Sequence, residues 1–211
     1  MKASSLKDVR DMYELTAEEY AEMMDSEIHL PIYREVLGRL HEGIANTPGT
    51  LLDTACGSGH MLELFRSQYD PGRSLMGIDL SPRMVTISQK RLGKEARIMV
   101  GDMRSLPDIP SASVAALINF FAIHHLDLEG IRQAMCEWNR VLVPQGRLLV
   151  SAWEGSGLID YGEESDIIAF RYTREELTGL SEKAGFLISR CSVEPVEDFP
   201  IDAVYLECEK K

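Results

Sequence analysis

The stretch Leu51–His60, "LLDTACGSGH", decides the reading of this chain. An apolar run ends at Asp53 and passes into small residues, with Gly57 and Gly59 flanking Ser58. A strand that gives way to so bare a turn lets the backbone itself approach a ligand. Met61, Leu62, Phe65 and Tyr69 then give the following segment the apolar face of a helix.

Outward from this turn the chain keeps the rhythm of strand, turn and helix. "SLMGIDL" reads as a second strand, and Ser81-Pro82 after it pairs an N-cap residue with proline at the first helical position. "ARIMVGD" is a third strand. "SVAALINFFAI" is a fourth, apolar throughout, as a strand covered on both faces requires. Ile131, Ala134, Met135, Trp138, Val141 and Leu142 mark an amphipathic helix, and "PQG" turns the chain into a fifth strand, "RLLVSAW". Residues 154–172 are polar and glycine-containing and read as a loop or short hairpin. Thr173 and Glu176 form a capping box ahead of a helix with Leu177, Leu180 and Ala184. "FLISRCSVEP" and "AVYLECEKK" alternate in hydropathy and should pair antiparallel at the end of the sheet. Strands alternating with helices predict an α/β fold with a doubly wound, mostly parallel sheet. Ligands of such sheets bind at the carboxyl ends of the strands, which makes 53–59, 79, 101–103, 119–125 and 153 the candidate site positions.

Two helices precede this core. One carries Val9, Met12, Tyr13, Tyr20 and Met23, the other Tyr33, Val36, Leu37, Leu40 and Ile44, and "NTPGT" closes the second. Residues 1–46 are therefore expected to cover a core domain of residues 47–211. Tyr13 and Tyr20, seven apart, share one helix face.

Composition narrows the function. The 211 residues hold 34 Asp and Glu against 22 Lys and Arg, a formal net charge of -12. A nucleic-acid surface needs a basic stripe, and no Lys/Arg cluster stands out. No apolar run approaches the roughly 20 residues of a membrane span, and the charged N-terminus has no signal-peptide pattern, so a cytoplasmic protein is expected. Cys56, Cys136, Cys191 and Cys208 form no CxxC pair and read as reduced thiols, with Cys56 a small buried hydrophobe. Neither they nor the five histidines show metal-ligand spacing. The adjacent His124 and His125 would point opposite ways on a strand.

Three ligands compete for the glycine turn. A nucleoside triphosphate loop needs a lysine after its last glycine, and here His60-Met61-Leu62 follow Gly59. The dinucleotide fingerprint needs three glycines, and the third position is Leu62, or His60 if the count starts from Ala55. S-adenosyl-L-methionine has no phosphate. It needs a turn small enough for its tail and ribose, and an acidic residue for the ribose hydroxyls. Asp79 ends the second strand about twenty residues after Gly59, where a βαβ unit delivers it beside the first strand end.

From about Thr50 to Trp153 the chain resembles the class I S-adenosylmethionine-dependent methyltransferases, in the style of the ubiquinone/menaquinone-type and natural-product enzymes. "LLDTACGSG" resembles their first motif, "GIDLSPRMV" the second, "VGDMRSLP" the third, "INFFAIHHL" the fourth and "RVLVPQGRLLVSAW" the fifth-strand segment. Ala55 departs from the family's first loop glycine. The resemblance implies a seven-stranded sheet of order 3-2-1-4-5-7-6 with strand 7 antiparallel. It implies that Asp53 and the backbone from Ala55 through Gly57 to Gly59 hold the methionine end. Asp79 takes the ribose with Leu80 beside adenine, Asp102 and Met103 meet the adenine, and Asn119 and Phe120 border the methyl group.

The acceptor on this reading is a small molecule attacking through O, N or C. His124 and His125 are the candidate general bases near a strand end, and Tyr13 is the candidate lid residue that reaches the site. Trp153, Tyr161, Phe170, Arg171 and Tyr172 could complete an aromatic pocket, with Arg171 facing an anionic substrate group or merely pairing with local Glu. A cofactor-binding protein without catalysis and, less well matched, an NAD-linked oxidoreductase are the competing functions.

Overall fold

The computed structural model describes residues 3–159, 167–196 and 200–211. Its seven-stranded sheet is built from β1 (Thr50–Asp53), β2 (Leu75–Asp79), β3 (Ala96–Val100), β4 (Val114–Phe120), β5 (Leu142–Trp153), β8 (Phe186–Glu194) and β9 (Ala203–Lys210). The strand order is β3-β2-β1-β4-β5-β9-β8. The first five strands are parallel, and β9 runs antiparallel to both β5 and β8. This is the expected order, with the last strand of the chain inserted between the fifth and sixth. The two-residue strands β6 (Leu158–Ile159) and β7 (Ala169–Phe170) form the separate hairpin that 154–172 suggested.

Period-two alternation divides the side chains of the sheet between two apolar layers. Leu51, Ala116, Ile118, Leu149 and Tyr205 face one side and pack with α2 (Pro31–Ile44), α3 (His60–Gln68) and α4 (Pro82–Leu92). Leu52, Leu117, Leu148, Val150 and Leu206 face the other and pack with α5 (Leu128–Val141) and α6 (Arg174–Lys183). The second of the two leading helices thus belongs to the core cluster. The first, α1 (Leu6–Glu27), buries only Val9, Ala17, Ala21 and Met24 and lies against α4. Among the described residues no helix is long and apolar enough to cross a membrane.

Helix starts follow the sequence signals. The Ser81 hydroxyl accepts from Met84 N at 3.1 Å with Pro82 opening α4, Asp127 caps α5, and the Thr173–Glu176 capping box is formed. Two local expectations change. The strand after "PQG" begins earlier, at Leu142, because Gln145 takes φ 64° and loops the turn out of the ladder. The β4–β5 pairing accordingly steps from Val114↔Leu142 to Ala116↔Arg147. His124 and His125 lie not on a strand but in a short 3-10 turn, Ile123–His125, so their rings stay 4.0 Å apart between centroids instead of facing opposite ways.

Trp138 of α5 links this packing to the strand ends. It is fully buried, and its indole N–H donates to the carbonyl of Met103 at 3.0 Å, in the loop after β3. Trp138→Ala is expected to cost about 3–5 kcal/mol in chemical denaturation, through the cavity and the orphaned carbonyl together. A loss under about 1 kcal/mol would contradict this role.

Candidate functional site

The sheet order reverses between β1 and β4, and the turn Asp53–Gly59 emerges there. Backbone hydrogen bonds hold it to both neighbours: Thr54 N donates to Ile118 O of β4 at 3.1 Å and Cys56 N to Ile78 O of β2 at 2.9 Å. Gly57 takes φ 48° and Gly59 φ 88°, conformations that favour glycine. A Cβ on Gly59 would also meet Ser88 Oγ at 2.6 Å, so this glycine seats α4 against the turn. Cys56 is buried beside Gly77, where a Cβ would come 2.7 Å from its Sγ. Burial also pushes the Cys56 thiol up, and it behaves as a packing residue.

Asp79 completes the turn. Its Oδ2 accepts from Gly57 N at 2.8 Å and its Oδ1 from Ser81 N at 2.9 Å. The carboxylate therefore ties the β1 turn to the start of α4. Burial raises its pKa, and those backbone N–H groups oppose the rise. Asp53, one turn deeper, accepts from Ala55 N at 3.1 Å. Burial, with the negative Asp79 nearby, pushes Asp53 up to about 7.

Helix α1 crosses above this floor and is fastened at three places. Glu14 accepts from Ser81 Oγ at 2.6 Å and from Arg83 N at 3.1 Å, and Glu18 pairs with Arg83 at 2.7 Å. At the far end Asp25 meets His60 Nε2 at 3.0 Å and Arg91 at 2.9 Å, while His60 Nδ1 bonds the Ser58 hydroxyl. The helix so held brings Tyr20 to within 3.3 Å of a would-be Gly57 Cβ, and Tyr13 packs edge-on against Tyr20. The Tyr13 hydroxyl lies 2.9 Å from His125 Nε2, bridging α1 to the 3-10 turn after β4. Burial lowers His125 to about 4 and His124 well below its ordinary value, so both rings are neutral at physiological pH.

Between α1 and the strand ends lies a small cavity of about 60 Å³. Ala55, Gly57, Asp79, Leu80 and Met103 form its floor, and Tyr13, Tyr20 and His125 close it. Phe121, just after β4, is held at φ 46°, with its N–H donating to Ser151 O and Oγ at 3.1 Å each. Backbone strain of about 1–3 kcal/mol persists only where the surroundings impose it. Here it sets the Phe121 ring on the cavity wall, packed on Trp153 at 4.6 Å.

Residues 51–146 match the family described as a methyltransferase domain. The chain is 34% identical over 110 residues to a demethylmenaquinone methyltransferase of Thermus thermophilus, covering 51% of this chain and 48% of that one. It is 34% identical over 140 residues to a probable S-adenosylmethionine-dependent methyltransferase of Mycolicibacterium smegmatis, covering 64% and 51%. Residues 51–146 are thus similar to a methyltransferase domain. It spans about half the length of the curated relatives it matches. The 1,6-didemethyltoxoflavin-N1-methyltransferase of Burkholderia thailandensis, solved with its namesake substrate and S-adenosylhomocysteine, shares the fold at TM-score 0.77 and 18% identity, over 97% of this chain and 88% of that one. Magnesium protoporphyrin IX methyltransferase from Synechocystis shares it at TM-score 0.76 and 17% identity, over 98% and 100%. So does the [4+2]-cyclase SpnF, at TM-score 0.73 and 17% identity, over 100% and 97%; likeness at this distance speaks for the fold alone.

The sequence-derived residues divide. Tyr13, Ala55, Gly57, Asp79, Leu80, Met103, Phe120 and His125 line the cavity. Asp53, Gly59, Asn119 and His124 stand behind it. Asn119 is buried and donates to Thr54 Oγ1 at 3.0 Å, and so supports the turn from beneath. The Asp102 carboxylate is turned to Arg104, accepting from its backbone N at 2.9 Å and from its guanidinium at 2.8 Å. His60 starts α3 with its ring engaged by Ser58 and Asp25. Phe170, Arg171 and Tyr172 line a second groove, with Asp127 and Glu176. Arg171 Nε there donates to Glu154 O at 2.8 Å, and the Tyr172 hydroxyl donates to Leu126 O. Tyr161 lies outside the described residues. Sequence reasoning missed Leu6, Val9, Met84 and Leu126 as cavity residues. Val9 was legible as the helical neighbour of Tyr13, four positions earlier.

The raised Asp53 has a pH signature. Folded Asp53 holds its proton more tightly than the unfolded chain does, so its contribution to stability is fully present below the ordinary 3.8 and is lost as pH rises through about 7. Denaturation of wild type and Asp53→Asn between pH 5 and 8 should show wild type losing stability relative to the variant as pH increases. Parallel curves would contradict the buried, proton-holding carboxyl.

Proposed function

We propose that this protein transfers a methyl group from S-adenosyl-L-methionine to a small-molecule acceptor in the cavity beneath α1. The observation that carries the reading is the Asp79 carboxylate at the cavity floor, clamped by Gly57 N and Ser81 N beside a turn of small residues. Each carboxylate oxygen keeps a further lone pair beyond these bonds, enough to accept from the two hydroxyls of a ribose. Gly57 and Ala55 leave room for the amino-acid tail, and Leu80, Met84 and Met103 offer apolar walls to a purine. Among the described residues that line the cavity there is neither Lys nor Arg, which suits a cofactor without phosphate. The Asp102–Arg104 pair argues against Asp102 as the adenine partner in this arrangement, and leaves Met103 and the backbone at Gly101 for that end.

When bound, the cofactor supplies a methyl group on a positively charged sulfur, which keeps the bonding electron pair as an acceptor nucleophile takes the methyl. The chain's own part is alignment and exclusion of water. Helix α1 acts as the lid, its three polar fastenings holding Tyr13 and Tyr20 over the floor. Neutral His125 can accept a proton at Nε2, and the Tyr13 hydroxyl can orient the group that gives it up. His124, deeper and fully enclosed, supports the turn. On this reading the site is a lidded small-molecule pocket, with the lid confined to α1 and the core extending back through α2.

Steady-state kinetics with a methyl acceptor from a metabolite screen test this. His125→Ala should lower kcat by about 10²-fold, near the lower end for acid–base catalysis because the imidazole is a weak base, and should leave cofactor affinity within about twofold. Tyr13→Phe should raise the acceptor KM more than it lowers kcat. Unchanged turnover in His125→Ala would remove it as the base.

A further inference from the structure

The turn that floors the cavity is held from two sides. On the cavity side Gly57 N donates to Asp79. On the other side stands Ser58, fully buried between two glycines in left-handed conformations. Two glycines so close give a turn wide backbone freedom when nothing fixes it. Neither Ser58 nor Asp25 is among the residues that line the cavity. The Ser58 hydroxyl bonds His60 Nδ1, and its carbonyl accepts from Arg91 Nε at 2.9 Å. Both of those side chains reach on to one carboxylate of the lid helix. Asp25 Oδ1 accepts from His60 Nε2 at 3.0 Å and from Arg91 Nη2 at 2.9 Å, and Glu63 of α3 steadies Arg91 at 2.9 Å.

Asp25 decides how these partners meet Ser58. Burial, with the Arg91 charge beside it, holds His60 below its ordinary pKa, so the ring is neutral at physiological pH. A carboxylate only accepts, so the neutral ring donates to Asp25 from Nε2 and accepts at Nδ1 from the Ser58 hydroxyl. Asp25 thus selects the tautomer that Ser58 needs. It also takes one arm of the rigid Arg91 fork while Nε is aimed at the Ser58 carbonyl. Lifting the end of α1 withdraws the shared acceptor from both at once.

We propose that Asp25 is a positioning residue for the cofactor's seat: through His60 and Arg91 it fixes Ser58, and with it the Gly57–Gly59 backbone, whenever the far end of α1 is down. This rests on the S-adenosyl-L-methionine reading of that turn. Lid and seat then form one thermodynamic unit. By linkage, whatever factor Asp25 adds to cofactor affinity, bound cofactor adds to the docking of α1. The Asp25 side chain is 56% exposed, and exposed ion pairs contribute little to global stability, so its removal reaches the seat without unfolding the chain.

Asp25→Ala and Asp11→Ala remove the same charge from the same helix, and alanine favours the helix at both places. Asp11 pairs with Lys7 and Arg10 of α1 itself. Calorimetric titration with S-adenosylhomocysteine should show binding about tenfold weaker in Asp25→Ala and within about twofold of wild type in Asp11→Ala. Hydrogen exchange of the ligand-free proteins reads the turn without any cofactor. The Gly57 and Gly59 amides, bonded to Asp79 and to the Cys56 carbonyl, should exchange about tenfold faster in Asp25→Ala and at the wild-type rate in Asp11→Ala. Wild-type affinity in Asp25→Ala would overturn the proposal. So would weaker binding with those two amides exchanging as in wild type, which makes Asp25 a fastening of the lid alone. Should S-adenosylhomocysteine fail to bind wild type, the cofactor reading falls; faster exchange at the turn then still upholds the tie from Asp25 to Ser58, and unchanged exchange removes it.

Discussion

A single hydrogen bond, from Gly57 N to Asp79 Oδ2 at 2.8 Å, fixes the geometry on which the site depends. It joins the first strand's turn to the second strand's end, and the same carboxylate accepts from Ser81 N at the mouth of α4. Everything in the turn serves this contact. Gly57 must take φ 48° to aim its N–H, Gly59 must be bare because Ser88 stands behind it, and Cys56 must be small because β2 passes at Gly77. The Ala55 methyl fits because it stands on the cavity wall without a left-handed backbone to support. A charge buried at such a junction is tolerable because backbone dipoles meet it on two sides.

The second constraint is the lid. An amphipathic helix with four buried residues could lie on the core in many ways. Three polar clasps choose one: Glu14 on the start of α4, Glu18 on Arg83, and Asp25 on His60 and Arg91. Exposed ion pairs contribute little to stability one at a time, so their effect here is on orientation. They place Tyr20 over the glycine turn and Tyr13 against His125, which turns an open cleft into a chamber.

Much of this was legible in the sequence because it follows from short-range rules. The alternation of strands and helices, the helix caps and the place of Asp79 at the end of the second strand come from local pattern and from the span of one βαβ unit, whereas the strand order comes with the family resemblance. What the sequence hid was decided by contacts between distant segments. Asp102 ends the right strand, but Arg104 two residues on folds back and takes its carboxylate. Asn119 ends β4 yet faces inward, beneath Thr54, because strand alternation gives the cavity to Phe120. The histidine pair occupies a 3-10 turn in which one ring reaches the cavity and the other is sealed behind it. The left-handed Phe121 carries no composition signal at all, since its strain is imposed by Ser151 on the neighbouring strand.

The central claim is that the turn and Asp79 together form the cofactor's seat. Calorimetric titration of S-adenosyl-L-methionine into wild type and Asp79→Asn, both checked for unchanged thermal unfolding, tests it most directly. The account predicts saturable one-to-one binding to wild type and binding about ten- to a hundredfold weaker in the variant, the loss of charge-assisted hydrogen bonds worth about 1.5–3 kcal/mol. No binding to wild type, or equal affinity in the two proteins, would contradict it.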